Sequence, residues 1–243
     1  MENQLANAQR NGPKRPVLLI FDVNETLIDF ESLNMLFARI FGDKRVMREW
    51  LAQLVMYSMT LTLSGLYQDY CTLGGGLFHM VGAIHGINIG QEHIDALKEG
   101  MTMLPAHWDA EEGLKRLRDA GYRMVALTNS PVLPNRKSPL ENAGLSKFFE
   151  REFSTESARI YKPSSKVYHM VAEAMNLAPQ QCCMVSTHVW DTVVAQSSGL
   201  SAVLLTRRGN APLLVPGLPH PDLVVADFLT LAEKMGRLWK FKE

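Results

Sequence analysis

The stretch "LLIFDVNETLID", Leu18 to Asp29, runs four apolar residues into an aspartate and then spreads Asn24, Glu25, Thr26 and Asp29 over the next seven positions. A continuous apolar run closed by polar turn residues predicts a strand buried on both faces, the pattern of a parallel sheet. Ligands of open α/β sheets bind in the crevice at the carboxyl ends of such strands. Asp22 therefore stands where a reacting group is expected. A single strand-end Asp also reads as the cap of the next turn or helix, so the rest of the chain has to decide.

Composition narrows the classes. The chain has 243 residues, 47% of them apolar, enough for one large α/β domain or for a core carrying a smaller inserted domain. Lys plus Arg equals Asp plus Glu at 25 each, so no global field draws it to nucleic acid or to an anionic membrane. The opening "MENQLANAQRNGPKRP" is polar and lacks the apolar centre of a signal or anchor; residues 1–15 are expected to be a disordered lead-in. No apolar run reaches the roughly 20 residues a spanning helix needs. Cys71, Cys182 and Cys183 show no metal-ligand spacing and read as buried filler in a reducing compartment, which makes cytoplasmic the expected location.

Three parts follow one another. After a first strand, Val17 to Asp22, nearly everything from Glu31 to Met103 has helical character. "ESLNMLFARIF" sets Leu33, Leu36, Phe37, Ile40 and Phe41 on one face, and "DKRVMREWLAQLVMYSMTL" does the same with Val46, Trp50, Leu54 and Tyr57. A third segment, Ser64 to about Gly90, carries three glycines at 74–76 that permit close backbone approach or a break. Beyond Leu104-Pro105 helix and strand alternate: a helix over Glu111 to Ala120 closed by Gly121, the strands "YRMVALT", "REFST", "CCMVS", "SAVLLT" and "DLVVA", helices over Lys166 to Met175 and Asp191 to Ser198, and a terminal helix. Repeated βα units imply a mostly parallel sheet covered on both faces.

Four strand ends carry polar side chains: Asp22 with Thr26, Thr128 with Asn129, Lys162 in "YKPSSKVY", and Ser186, His188 and Asp191 in "STHVWD". An aspartate, a hydroxyl, a lysine and a second aspartate in that order suit covalent catalysis by a carboxylate. In this reading the hydroxyl and amide orient substrate or leaving group. The lysine keeps the nucleophile ionised, and the last aspartate fixes lysine or water.

In "FDVNETLID", "LTNS", "YKPSSKVY" and "STHVWD" the chain resembles the haloacid dehalogenase superfamily, and within it the type II, L-2-haloacid dehalogenase-like branch. The resemblance spans Val17 to about Leu231. It implies an α/β fold: a Rossmann-like core with a parallel sheet flanked by helices (16–30 and 104–243), an inserted helical cap (31–103), and a site between them. It further implies Asp22 as nucleophile, Thr26 as its supporting hydroxyl, Thr128 and Asn129 as substrate and leaving-group binders, and Lys162, Tyr168, Ser186 and Asp191 as the supporting set. The implied substrate is a small 2-substituted carboxylic acid, attacked through an aspartyl ester that water resolves, giving a 2-hydroxy acid and halide from an (S)-2-haloacid. No cofactor is implied.

Departures from the pattern sharpen this reading. A phosphatase of this superfamily needs a second Asp two residues after the nucleophile and an acidic pair in the fourth motif for Mg²⁺. Here those places hold Asn24 and, for the first acid, Thr187, so the expectation is a metal-independent enzyme. The dehalogenase pattern also has a halide-receiving arginine in the second cap helix. Aligning "REWLAQL" on Gln53 and Leu54 puts Trp50 there, with Arg48 about half a turn off that face. His188 stands where the pattern has asparagine, and reads either as a base for the ester-cleaving water or as a loop-bonding residue. An aromatic Trp50 keeps a second enzyme reading, ring opening of a strained cyclic amino acid as in azetidine-2-carboxylate hydrolases, with cation-π contact to the ring nitrogen. A non-catalytic binding protein is the reading from another class. Met35, Met47, Met56, Met59 and Met80 read as filler, as a pocket wall or as the face of a homodimer formed through the cap.

Overall fold

A computed structural model describes residues 15–131 and 136–238; apart from Arg15, the expected disordered lead-in lies outside them. The first strand, β1 (Leu18–Asp22), is followed by a short 3₁₀ turn and four helices, α1 (Asn34–Phe41), α2 (Val46–Leu63), α3 (Tyr70–Ile84) and α4 (Gln91–Thr102). The alternating part then runs α5 (Ala110–Asp119), β2 (Arg123–Thr128), the one-turn α6 (Pro139–Asn142), β3 (Arg151–Ser154), α7 (Ser165–Ala174), β4 (Cys182–Ser186), α8 (Val189–Ser197), β5 (Ser201–Leu205), β6 (Leu223–Val225) and α9 (Phe228–Leu238). Among the described residues six strands form one sheet in the order β3-β2-β1-β4-β5-β6, every neighbouring pair parallel. This is the Rossmann-like parallel sheet expected from the sequence.

The period of two along β1 sorts its side chains onto two cores. Leu19 and Phe21 join the layer of Leu114, Leu117, Phe228 and Leu231, which continues into the helical block. Leu18 and Ile20 join Val125, Leu127, Val167, Tyr168 and Val171 on the other face. Both faces are covered, so the strand has no polar position until it leaves the sheet. Asp22, the next even residue, therefore points toward the Tyr168 side at the carboxyl edge.

The helices between β1 and α5 pack on one another through Phe37, Trp50 and Phe78, whose rings lie 5.4–6.4 Å apart. Helix α3 runs unbroken through Gly74, Gly75 and Gly76. Of the two readings of that run, close approach is the one realised: a Cβ at Gly74 would lie 3.4 Å from the Trp50 ring. The chain enters and leaves this block side by side. Asp29 N–H donates to the Pro105 carbonyl at 2.8 Å and His107 N–H to the Leu27 carbonyl at 2.9 Å. Cys182 and Cys183 are buried on β4 as expected, whereas Cys71 is exposed on α3, because its position falls on that helix's outer face. No helix of the described residues is long and apolar enough to cross a membrane.

Candidate active site

Asp22 ends the central strand with 4% of its surface exposed. Its two oxygens are separately engaged: Lys162 Nζ donates to Oδ1 at 2.6 Å, and Thr26 Oγ1 donates to Oδ2 at 2.6 Å. Thr26 lies four residues on, in the turn leaving β1, and its hydroxyl also accepts the N–H of Thr187 at 3.0 Å. The first and fourth motifs are thereby tied together across the β1–β4 pair.

Lys162 is fully buried and bridges two carboxylates, donating also to Asp191 Oδ2 at 2.9 Å. Burial alone would lower its pKa, but the Asp191 and Asp22 charges outweigh burial and hold it above the usual lysine value. The ammonium therefore stays charged. Its place is set from the backbone: Asn129 Oδ1 accepts the Lys162 N–H at 2.9 Å and the Thr155 hydroxyl at 3.2 Å. Tyr168 OH donates to Asp191 Oδ1. Burial, then the Asp191 charge, push the Tyr168 phenol well above its ordinary value, so it remains a donor.

His188 stands over the nucleophile. Its Nε2 lies 3.6 Å from Asp22 Oδ2, 3.7 Å from Glu25 Oε2 and 3.3 Å from the Asn24 carbonyl. Ser186 Oγ accepts the His188 N–H at 3.1 Å and shapes the turn into α8. Trp190 stacks on the imidazole at 4.8 Å, with Lys162 Nζ 5.7 Å from the indole centroid. The wall from the helical block is Leu51, Val55 and Tyr70; these join Asp22, Asn24, Glu25, Asn129, Lys162, His188 and Trp190 around a cavity of about 20 Å³.

Most residues singled out in the sequence converge here: Asp22, Thr26, Asn129, Lys162, Tyr168, Ser186, His188 and Asp191. Two do not. Thr128 is half-buried at the edge of the site, its hydroxyl accepting the Ser130 N–H at 3.1 Å, and it does not line the cavity. Trp50 is corrected outright. Its indole N–H donates to the Gly74 carbonyl at 2.9 Å inside the helical block, with 1% of the residue exposed, and it does not line the cavity. The cation-π contact that favoured ring opening loses its residue.

Glu25, Tyr70 and Trp190 carried no role in the sequence reading. Glu25 sat inside the quoted first motif and Trp190 immediately before Asp191, so proximity to motif residues was the available signal. Asn24 and Thr187 bear on metal binding through their side chains. Asn24 Nδ2 donates to Ser130 Oγ at 3.3 Å, and the Thr187 hydroxyl donates to the Leu205 carbonyl at 2.9 Å. Among the described residues no group of three or more His, Cys, Asp or Glu side chains is gathered that could hold a metal ion.

Known proteins resemble this chain in sequence and in fold. The profile of the haloacid dehalogenase-like hydrolases matches residues 17–199. The (S)-2-haloacid dehalogenase 4A of Burkholderia cepacia is 27% identical over 195 residues, covering 79% of this chain and 84% of that protein. In fold, the L-2-haloacid dehalogenase RSc1362 superposes with a TM-score of 0.85 at 21% identity, over 91% of this chain and 99% of that one. The Xanthobacter autotrophicus L-2-haloacid dehalogenase, solved with chloropropionic acid covalently bound, gives 0.79 at 21% identity over 90% and 97%. The profile covers three quarters of the sequence, and the chain belongs to the haloacid dehalogenase-like hydrolases.

Proposed function

We propose that this hydrolase is an (S)-2-haloacid dehalogenase that works through an ester on Asp22. The observation that carries the reading is the Asp22 carboxylate itself, buried at the carboxyl end of the central strand with Lys162 on one oxygen and Thr26 on the other. The relatives named (S)-2-haloacid dehalogenase support the substrate class. One Asp22 oxygen attacks C2 of the acid, the carbon–halogen bond breaks, and halide leaves with the bonding pair. Water then attacks the carboxyl carbon of Asp22, releasing the 2-hydroxy acid and returning the aspartate with one solvent oxygen.

Lys162 pairs with the carboxylate and aims it, Asp191 and Tyr168 hold Lys162, and His188 is the group placed to take a proton from the ester-cleaving water. Halide leaves without protonation, so neutral Asn24 and Thr187 cost this reaction nothing, whereas a phosphatase would lack its general acid and a metal ligand. In the proposed division residues 31–103 form the cap and 16–30 with 104–243 the catalytic core. A cytoplasmic location fits the free cysteines, and a homodimer through the cap fits the exposed Met35, Met56 and Leu63.

The test is halide release from the enantiomers of 2-chloro- and 2-bromopropionate, with 2-hydroxypropionate identified by mass. Release from the (S) acids that persists in chelator and vanishes in Asp22→Asn is expected. Phosphate release from phosphomonoesters, with no halide released, would overturn the reading.

A further inference from the structure

Room is the problem at this site. A cavity of about 20 Å³ holds roughly one water, not a three-carbon acid. Immediately beside it lies a second cavity of about 280 Å³, whose lining includes Arg48, Trp108, Arg207 and Arg208. Glu25 alone lines both, so its side chain is part of the wall between them.

Glu25 is held oddly for a wall residue. Its φ is +61°, in the left-handed region that costs an L side chain about 1–2 kcal/mol. Its carboxylate is buried, with the residue 7% exposed, and is paired with Arg48, which reaches down from α2. Behind that pair Arg48 also lies 3.5 Å from Glu31 and 3.4 Å from the Arg208 carbonyl. Backbone strain kept at a site argues for a role there.

Charge decides what that role is. The reaction cavity is bordered by the carboxylates of Asp22 and Glu25, with Asp191 behind Lys162, and Lys162 is already shared between Asp22 and Asp191. An incoming substrate carboxylate adds one more negative charge and finds, among the described residues lining the small cavity, no lysine or arginine besides Lys162. In the larger one Arg207 is clamped on both oxygens of Asp109, and Arg208 is 85% exposed at the rim. Arg48 stands at the junction, and what separates it from the nucleophile's cavity is its carboxylate partner.

We infer that Glu25 is the gate between the two cavities and that Arg48 is the dock for the substrate carboxylate: the substrate's carboxylate replaces that of Glu25 on Arg48, the wall opens, and the cavities merge into one site. The exchange replaces one guanidinium–carboxylate pair on Arg48 with another, and a neutral analogue gains nothing from it. The inference rests on the haloacid reading for its substrate, but its test needs no chemistry.

Propionate and propionamide, unreactive and alike in shape, are titrated calorimetrically into the wild type, Arg48→Ala, Arg48→Lys and Glu25→Gln. Halide release from 2-bromopropionate is measured alongside. Arg48→Ala is expected to weaken propionate by about tenfold to a hundredfold, the value of a hydrogen bond to a charged group, and to leave propionamide unchanged, with Arg48→Lys recovering part of the loss. Glu25→Gln is expected to tighten propionate, an outcome that a damaged fold cannot imitate. Equal effects on acid and amide, or unchanged propionate binding in both Arg48→Ala and Glu25→Gln, overturn the gate and dock. Absent halide release with Arg48-dependent propionate binding overturns the haloacid reading and leaves the dock standing.

Discussion

At the scale of single residues the site is a charge chain, Thr26–Asp22–Lys162–Asp191–Tyr168, with His188 above it. Removing Lys162 leaves two buried carboxylates with no cation between them, and burial without a counter-ion disfavours the charged form the nucleophile needs. Lys162→Ala should cut the ester-forming step by at least about a hundredfold, read as the rate of ester appearance in rapid-quench mass spectra; an unchanged rate would remove Lys162 from that role. His188→Ala should spare ester formation and slow ester hydrolysis, so that the ester accumulates on Asp22 in rapid-quench mass spectra. If it does not accumulate and the overall rate is unchanged, His188 is a loop residue. Asp22, Thr26 and Asp191 were legible in the sequence because they sit at the end of β1 or within five residues of the end of β1 or β4, where the parallel sheet dictates position; Lys162, eight residues past β3, and Tyr168, inside α7, were singled out by the motif "YKPSSKVY". Trp50 was misplaced because a helix turns 100° per residue, and a two-letter alignment on Gln53 and Leu54 cannot fix its rotation. Arg48, Leu51 and Val55, at i, i+3 and i+7, form the stripe turned to the core. Met47, Trp50, Leu54 and Ser58 form the neighbouring stripe, buried inside the helical block.

At the scale of elements the sequence carried the strands well. β1 begins at Leu18 rather than Val17, and the remaining five lie within the quoted segments. The pairing order, with β4 on one side of β1 and β2 on the other, was beyond reach, because it depends on which helices cover which face. One contact that enforces it is α5 against α9. A Cβ at Gly113 would fall 2.3 Å from Phe228 Cβ and 2.9 Å from its carbonyl carbon. Alanine in a helix gains up to about 1 kcal/mol over glycine, but overpacking against a fixed backbone costs about 1–3 kcal/mol, so the clash wins. Gly113→Ala should lower the urea midpoint while the same change at Gly236, which has nothing within 4 Å of its Cβ, should not. A stabilised Gly113→Ala would show that α5 and α9 do not pack this closely.

For the molecule as a whole, the proposed cap and core meet through the paired connections around Ile28 and Ala106. His107 sits on the returning connection, where its Nε2 meets the Glu25 carbonyl at 2.9 Å. Burial, then the Arg207 charge, lower its pKa from the ordinary 6.5. Between that lowered value and 6.5 the unfolded chain binds more protons than the folded one, so stability falls on acidification through this window and levels off below it. His107→Gln should flatten that part of the urea-midpoint profile; an identical slope would place the pH dependence elsewhere. None of this junction was legible in the sequence, since His107 and Glu25 are 82 residues apart and neither connection has periodic patterning. Covalent catalysis by Asp22 stands or falls on a single turnover of excess enzyme with (S)-2-bromopropionate in ¹⁸O-water, followed by mass analysis of the peptide bearing Asp22. One ¹⁸O is expected in the Asp22 carboxylate and none in the first 2-hydroxypropionate released. Label in that product with unlabelled Asp22 would mean that water attacks the substrate carbon directly, and would rule out the ester.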